Sequence, residues 1–361
     1  MSPSHDDHVW FGGVVEPGEH ASRSVVISES YSANDVSIPI QVWRGKKDGP
    51  TVAVTAAVHG DEINGTGVIR KIIRDQPFDV IAGTLVLAPV VNILGYEHRT
   101  RYLPDRRDLN RSFPGSREGS SAARMAHAFF SQVVTRCDYC IDLHTAAVRR
   151  TNFPNVRADM SEPRLAAFAR AFGAELLVDS PGPDGSLREA ACADGCATLI
   201  LEAGEVWKVE RAVVEYAVRG IGNCLKFLEM VEGEPDQPEY RVETDATKWV
   251  RASHGGLLEF HVAPGDIVEK NEPIATNTSL LGDELNTVLA PRDGIILGMT
   301  TIPSVAPGDP ICHLAYPKRS VLRKVNIAVD ALHNQSLHER MREDLSTSLL
   351  VTEHDDSPEA R

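Results

Sequence analysis

The sequence predicts an α/β fold, a mixed and largely parallel sheet covered by helices on both faces, followed by a small all-β domain. Three observations carry that expectation. Across residues 51–230 short apolar runs alternate with amphipathic stretches, the texture of strands joined by helices. Residues 1–45 alternate polar and apolar with scattered turns, as antiparallel strands do. Beyond residue 245 one turn occurs twice, Ala263-Pro264-Gly265-Asp266-Ile267 and Ala306-Pro307-Gly308-Asp309-Pro310-Ile311, as in a pseudo-symmetric β-sandwich.

Taken in order, 25–27 and 38–43 are apolar parts of N-terminal strands. Residues 51–58 read as a buried strand, 62–74 as a helix and 83–91 as a strand. A helix over 122–135 runs into a strand over 139–144. A helix at 162–172, a strand at 197–202 and a long helix at 209–230 follow. Residues 232–245 are charged, carry Pro235 and Pro238, and read as a linker. The expected domains are therefore 1–232, 246–317 and a polar tail, 318–361. The tail is expected to be helical over 325–345 and disordered at its end, with His333 and His338 solvated.

A chain of 361 residues is long enough for such a pair of domains. Its net charge of −14 argues against nucleic acid and against an anionic membrane surface as partners. The first twenty residues lack the basic start and apolar core of a secretory signal. No apolar run approaches the ~20 residues that span a bilayer. Cys137 and Cys140 have the spacing of a zinc knuckle and Cys192 and Cys196 come close to it. Small buried thiols are the preferred reading, and a reducing cytoplasm is the expected location.

The residues that carry chemistry sit where strands end. In open sheets with parallel strands, ligands bind at the carboxyl ends, and His59, His144 and Glu202 each lie at one. His59 and Glu62, three apart at a strand-to-helix passage, can reach one ion. With the distant His144 they form a zinc-ligand set of three, which leaves a position open for water. The plainer alternatives are a surface His beside a helix-start Glu, and a satisfied core histidine. Asp142, on the strand face of His144, suits the role of holding a ligand's second N–H, or of capping a neighbouring helix. A third segment, Thr100-Arg101-Tyr102-Leu103-Pro104-Asp105 followed by Asp108-Leu109-Asn110-Arg111-Ser112-Phe113-Pro114-Gly115, reads as a long loop. Its Arg101 and Arg111 offer guanidinium forks for carboxylates. Arg106 and Arg107 read as solvated.

Together, HGDE, TRY…DLNR-FPG, DLHT and LEAGE resemble the succinylglutamate desuccinylase/aspartoacylase family, N-acyl amino acid deacylases on a zinc carboxypeptidase-like fold. The resemblance covers about residues 45–230. The later β-domain resembles the biotinyl/lipoyl, or barrel-sandwich, domain, and also the C-terminal domain that family members carry. No Lys occurs between Lys270 and Lys318, so a swinging cofactor arm is not expected and a structural or oligomerisation role is. The resemblance implies one zinc ion per chain on His59, Glu62 and His144. It implies that Arg101 polarises the scissile carbonyl and that Asn110 and Arg111 grip the substrate carboxylate. Glu202 would be the general base and Arg188 a second carboxylate-binding arginine. Two departures stand out: the loop from Arg101 to Asn110 is longer than in aspartoacylases, and Glu205 competes with Glu202. Arg150 and Arg157 are further candidates to line the pocket.

The expected reaction is hydrolysis of a linear amide in a small-molecule N-acyl amino acid, of the acetyl or succinyl class. A metallocarboxypeptidase acting on a short peptide would use the same residues. A catalytically inactive binding protein would use the β-domain instead. Acetylated diaminobutyrate is one candidate substrate. The acyl group, the amino acid and any homo-oligomer stay open at the level of sequence.

Overall fold

The structure, a computed structural model, describes residues 9–30, 32–322 and Val325. The expected tail helix, with His333 and His338, lies outside the described residues. The chain opens with a small hairpin, β1 (Val9–Trp10) and β2 (Gly13–Val14). Next come β3 (His20–Glu29), β4 (Asp35–Arg44), β5 (Lys47–Ala56), α1 (Asn64–Asp75), β6 (Ala82–Ala88), α2 (Ile93–Glu97) and α3 (Ser121–Gln132). They are followed by β7 (Tyr139–His144), β8 (Arg150–Ala158), α4 (Pro163–Ala171), β9 (Leu176–Asp179), α5 (Leu187–Ala193), β10 (Ala197–Gly204), α6 (Arg211–Phe227) and β11 (Val242–Thr244).

Period-2 burial in β5 explains the layers. Val52, Val54 and Ala56 face one core with Val68, Ile69 and Ile72 of α1, Phe168 of α4 and Ala217 and Ile221 of α6. Ala53 faces the other, with Met125 and Phe129 of α3 and Leu187 of α5. Helices therefore cover both faces, as expected, and each large apolar side chain so buried contributes roughly 2 kcal/mol. The local sequence sets the ends: α1 stops at Gln76 in a left-handed conformation, its N–H bonded to Ile72 O, with Pro77 next. Ser120 caps α3 by accepting from Ala123 N, and Ser186 caps α5 by accepting from Glu189 N.

The sheet is mixed. Its central run β6-β5-β7-β10 is parallel, flanked by antiparallel β4 and β3 on one side and β8 on the other. Strand β8 was not foreseen, because Asn152, Pro154 and Asn155 are poor strand formers. The stretch read as a linker holds β11, which pairs in parallel with β9.

The C-terminal region is all-β: β12 (Thr247–Arg251), β13 (Gly256–Phe260), β14 (Ile267–Val268), β15 (Pro273–Thr278), β16 (Glu284–Leu289), β17 (Gly294–Thr300), β18 (Ser304–Val305) and β19 (Pro310–Ala315). Strands β13, β15, β16 and β18 form a separate sheet over a core that includes Phe260, Ile274 and Ile311. Strand β17 pairs with β8, so β17, β19 and β12 extend the central sheet rather than standing apart from it. The six cysteines are free. Burial pushes the thiols of Cys137, Cys140 and Cys224 upward and those of Cys196 and Cys312 to about 12, which suits packed thiols rather than metal-binding thiolates. No helix among the described residues is long and apolar enough to cross a membrane.

Candidate active site

The parallel register sets the site. Glu202 of β10 lies opposite His144 of β7, and Leu143 opposite Ala56 at the end of β5. Ala57 then takes a left-handed conformation, φ 50°, which ends β5 just before His59. Gly60 follows because a Cβ there would run into the backbone of Gly95 and Tyr96. The three strand ends thus deliver His59, His144 and Glu202 to one cavity of about 320 Å³.

His59, Glu62 and His144 are all buried, and one ligand-type atom of each lies within 4.8 Å of the others. Glu62 Oε1 is 2.6 Å from His59 Nδ1, and Glu62 Oε2 is 2.8 Å from His144 Nδ1. Both ring nitrogens of His59 are nevertheless buried without a hydrogen-bond partner. Close approach without the direction of a hydrogen bond is what lone pairs aimed at a common cation produce. His144 Nε2 sits 2.8 Å from Asp142 Oδ2, and Asp142 Oδ1 accepts from Thr55 Oγ1 at 2.6 Å. Asp142 therefore orients His144 rather than capping a helix. Burial opposes the charge of Glu62, but the flanking histidines hold its carboxyl well below the usual range. For His144 burial works against protonation, but Asp142 and Glu62 overcome it and raise its pKa. The set fits a divalent cation, which would replace the protons those carboxylates otherwise favour.

Arg101 is fixed between acids. Its Nη1 lies 3.3 Å from Glu62 Oε1, and its Nε and Nη2 donate to Asp108 Oδ2 at 3.2 and 2.9 Å. Asp108 received no role from the sequence, although it stands inside the DLNR motif. It also approaches His59 Nε2 at 3.4 Å and accepts from Asn110 N at 2.8 Å. Asn110 lines the cavity, and its Oδ1 accepts from Leu187 N at 2.8 Å. Arg111 is exposed at the cavity rim, its Nη1 donating to Asn110 O. Arg106 and Arg107 are exposed, as expected.

Glu202 Oε2 accepts from Asn152 Nδ2 at 3.1 Å, and Arg157 Nη1 is 3.9 Å from its Oε1. Glu205 is tied elsewhere, by Lys208 and by Thr301 Oγ1 at 3.0 Å, so Glu202 alone of the two lines the cavity. Arg188 is only 4% exposed and its Nη1 has no partner. Burial and the neighbouring Arg157 push its pKa down to about 10. Arg150 and Arg157 line the cavity as well. So do Trp249 of β12 and His313 of β19, which sequence reasoning missed. They lie 44 and 108 residues beyond the last motif, which ends at Glu205, and carry no local signal.

The site has relatives. A family model described as the succinylglutamate desuccinylase/aspartoacylase catalytic domain matches residues 48–228. The N-alpha-acetyl-L-2,4-diaminobutyric acid deacetylase of Halomonas elongata is 30% identical over 312 residues, 82% of this chain and 91% of the relative. A succinylglutamate desuccinylase/aspartoacylase from Rhodobacter sphaeroides superposes with a TM-score of 0.70 at 26% identity, over 82% of this chain and 96% of that one. The product-bound ectoine utilization protein EutE (DoeB) of Ruegeria pomeroyi shares the fold, with a TM-score of 0.71 at 22% identity over 81% and 95% of the two chains. By the catalytic-domain match and the extent of the curated relative, the chain belongs to the succinylglutamate desuccinylase/aspartoacylase family.

Proposed function

We propose that the chain is a zinc-dependent amidohydrolase that removes an acetyl- or succinyl-class acyl group from an N-acyl amino acid. The observation that carries this reading is the convergence of His59, Glu62 and His144 beside Glu202 in a small cavity rich in arginine. His59, Glu62 and His144 would hold one zinc ion, which when bound polarises a carbonyl and makes water a nucleophile at neutral pH. Glu202 takes the proton from the attacking water and delivers it to the departing amine. Arg101, held by Asp108, faces the developing oxyanion, a role worth about 3 kcal/mol per donor. Asn110 and Arg111 grip the substrate carboxylate, and Arg188 adds a second guanidinium, which fixes the amide presented to water. A cavity of about 320 Å³, walled by Trp249 and His313, suits an acyl amino acid better than a peptide. In this reading residues 1–232 form the catalytic unit and 246–317 a barrel-sandwich unit whose strands β12 and β19 close the pocket.

Amine release from a panel of N-acetyl and N-succinyl amino acids and dipeptides tests it. The zinc-loaded protein is expected to turn over acyl amino acids and to spare dipeptides. Glu202→Gln should keep its zinc and lose at least about 100-fold in kcat. A variant with a tenth of the wild-type rate would remove Glu202 from this role. Chelation should abolish turnover, and zinc should restore it together with a higher Tm.

A further inference from the structure

The side of the cavity that carries β8 and Arg188 holds more positive charge than the reaction uses. Arg101 is matched by Asp108 and Glu62. Across the cavity, Arg150 and Arg157 stand at the two ends of β8, and Arg188 enters from α5. Glu202 is the one carboxylate lining that side, and only Arg157 approaches it, at 3.9 Å. Arg188 is almost wholly buried with Nη1 unpartnered. Arg150 rests on an aromatic face instead of an acid: its guanidinium carbon lies 4.7 Å from the Trp249 ring centre. Trp249 is itself stacked on His313, with ring centres 4.8 Å apart and planes within 6°. Burial, helped by Arg157 and Arg150, pushes the His313 pKa down to about 4. At neutral pH it therefore packs as an uncharged ring and balances nothing.

A buried guanidinium without a counter-charge, as at Arg188, is costly, and a ligand anion removes the cost; Arg150 and Arg157, both part-exposed, add positive charge to the same cavity. The placement is built into the sheet. One cross-strand row runs Trp249, His313, Gly298, Asn152, Gly204 through β12, β19, β17, β8 and β10. The C-terminal strands and the catalytic strand are thus in register across the pocket floor.

On the deacylase reading above, we propose that Arg150, laid over Trp249, is a specificity-determining residue. With Arg157 it makes the β8 wall a receptor for an anionic group at the far end of the substrate and a barrier to an ammonium group. That group is a carboxylate on the amino-acid side chain or on the acyl chain. This departs from carrying over the substrate named for the Halomonas elongata relative, whose 4-amino group is cationic at neutral pH.

The test uses the zinc-loaded full chain and substrates matched in size. N-acetyl-aspartate, N-acetyl-asparagine and N-acetyl-diaminobutyrate vary the side chain, while N-succinyl-alanine and N-butyryl-alanine vary the acyl group. One carboxylate-bearing member should exceed its neutral match by about 100-fold in kcat/KM, with the ammonium member lowest, and the winning pair identifies the source of the anion. Arg150→Gln should cut that ratio about tenfold through KM and leave kcat on the neutral member within about twofold. Arg150→Lys keeps the charge but not the planar fork that lies over Trp249, so it should restore only part of the ratio. An ammonium or neutral substrate handled as well as the carboxylate one overturns the proposal, as does an equal loss on every substrate in Arg150→Gln. A calorimetric arm is independent of turnover, titrating aspartate, asparagine, diaminobutyrate and succinate. Binding without charge discrimination, or none at all, also overturns it. Selective binding of a carboxylate with no turnover anywhere would instead remove the deacylase reading and leave the charge selection standing.

Discussion

Single residues in this site work in pairs, and the second member is the one a sequence hides. Asp142 Oδ2 fixes His144 through Nε2 at 2.8 Å and is itself fixed by Thr55. Asp142→Asn is expected to weaken zinc about 10- to 100-fold in a competition titration with a chromophoric chelator. Asp108 steadies Arg101 through two bonds. Asp108→Ala should lower kcat at least about tenfold even in zinc-saturated protein, because the guanidinium loses its fixed aim. The Asp142–His144 relation was legible, since residues two apart on a strand share a face. The Asp108–Arg101 contact depends on how a loop folds back, which no period encodes. His313 gives a pH prediction with a definite sign. Its pKa is held at about 4, below the ordinary 6.5, so between those values the unfolded chain binds the extra proton. Its stabilising effect is complete above pH 6.5 and declines as pH falls toward 4. His313→Gln should therefore flatten stability against pH across that window, by no more than about 1 kcal/mol per pH unit, as read from urea unfolding at pH 5 and pH 7.

Elements divide into those with a clear period and those without. Strands β5, β7 and β10 and helices α1, α3, α4 and α6 were all legible, because each carries an apolar run or a clear amphipathic period. Strand β8 was not, since Asn152, Pro154 and Asn155 leave neither alternation nor an apolar run. Yet β8 carries Arg150, Asn152 and Arg157, which line the cavity beside Glu202. Its seam with β17 is tight: at Gly298 a Cβ would collide with Asn152 Oδ1. Gly298→Ala is expected to displace Asn152 from Glu202 and to cost activity well beyond its effect on stability. Comparing kcat/KM with Tm in the same preparation checks this.

At the scale of the molecule, two regions that read as separate domains share one sheet. Ending the chain at residue 232 would strip β17 from β8 and β11 from β9, leaving unpaired strand edges. Such a truncation is expected to aggregate or run as a larger species in size-exclusion chromatography, even though the family motifs all lie within it. The sequence by itself determined the α/β layering, the strand ends that carry His59, His144 and Glu202, and the family, because period, capping and short motif spacing are local properties of the chain. Tertiary structure alone decided what ties Glu205 away from the cavity, what restrains Arg101, and that Trp249 and His313 complete the pocket. Those choices depend on how the loop carrying Arg101 and Asp108 folds back and on register between strands far apart in the chain, and only the closed sheet brings β8, β10, β12 and β19 together.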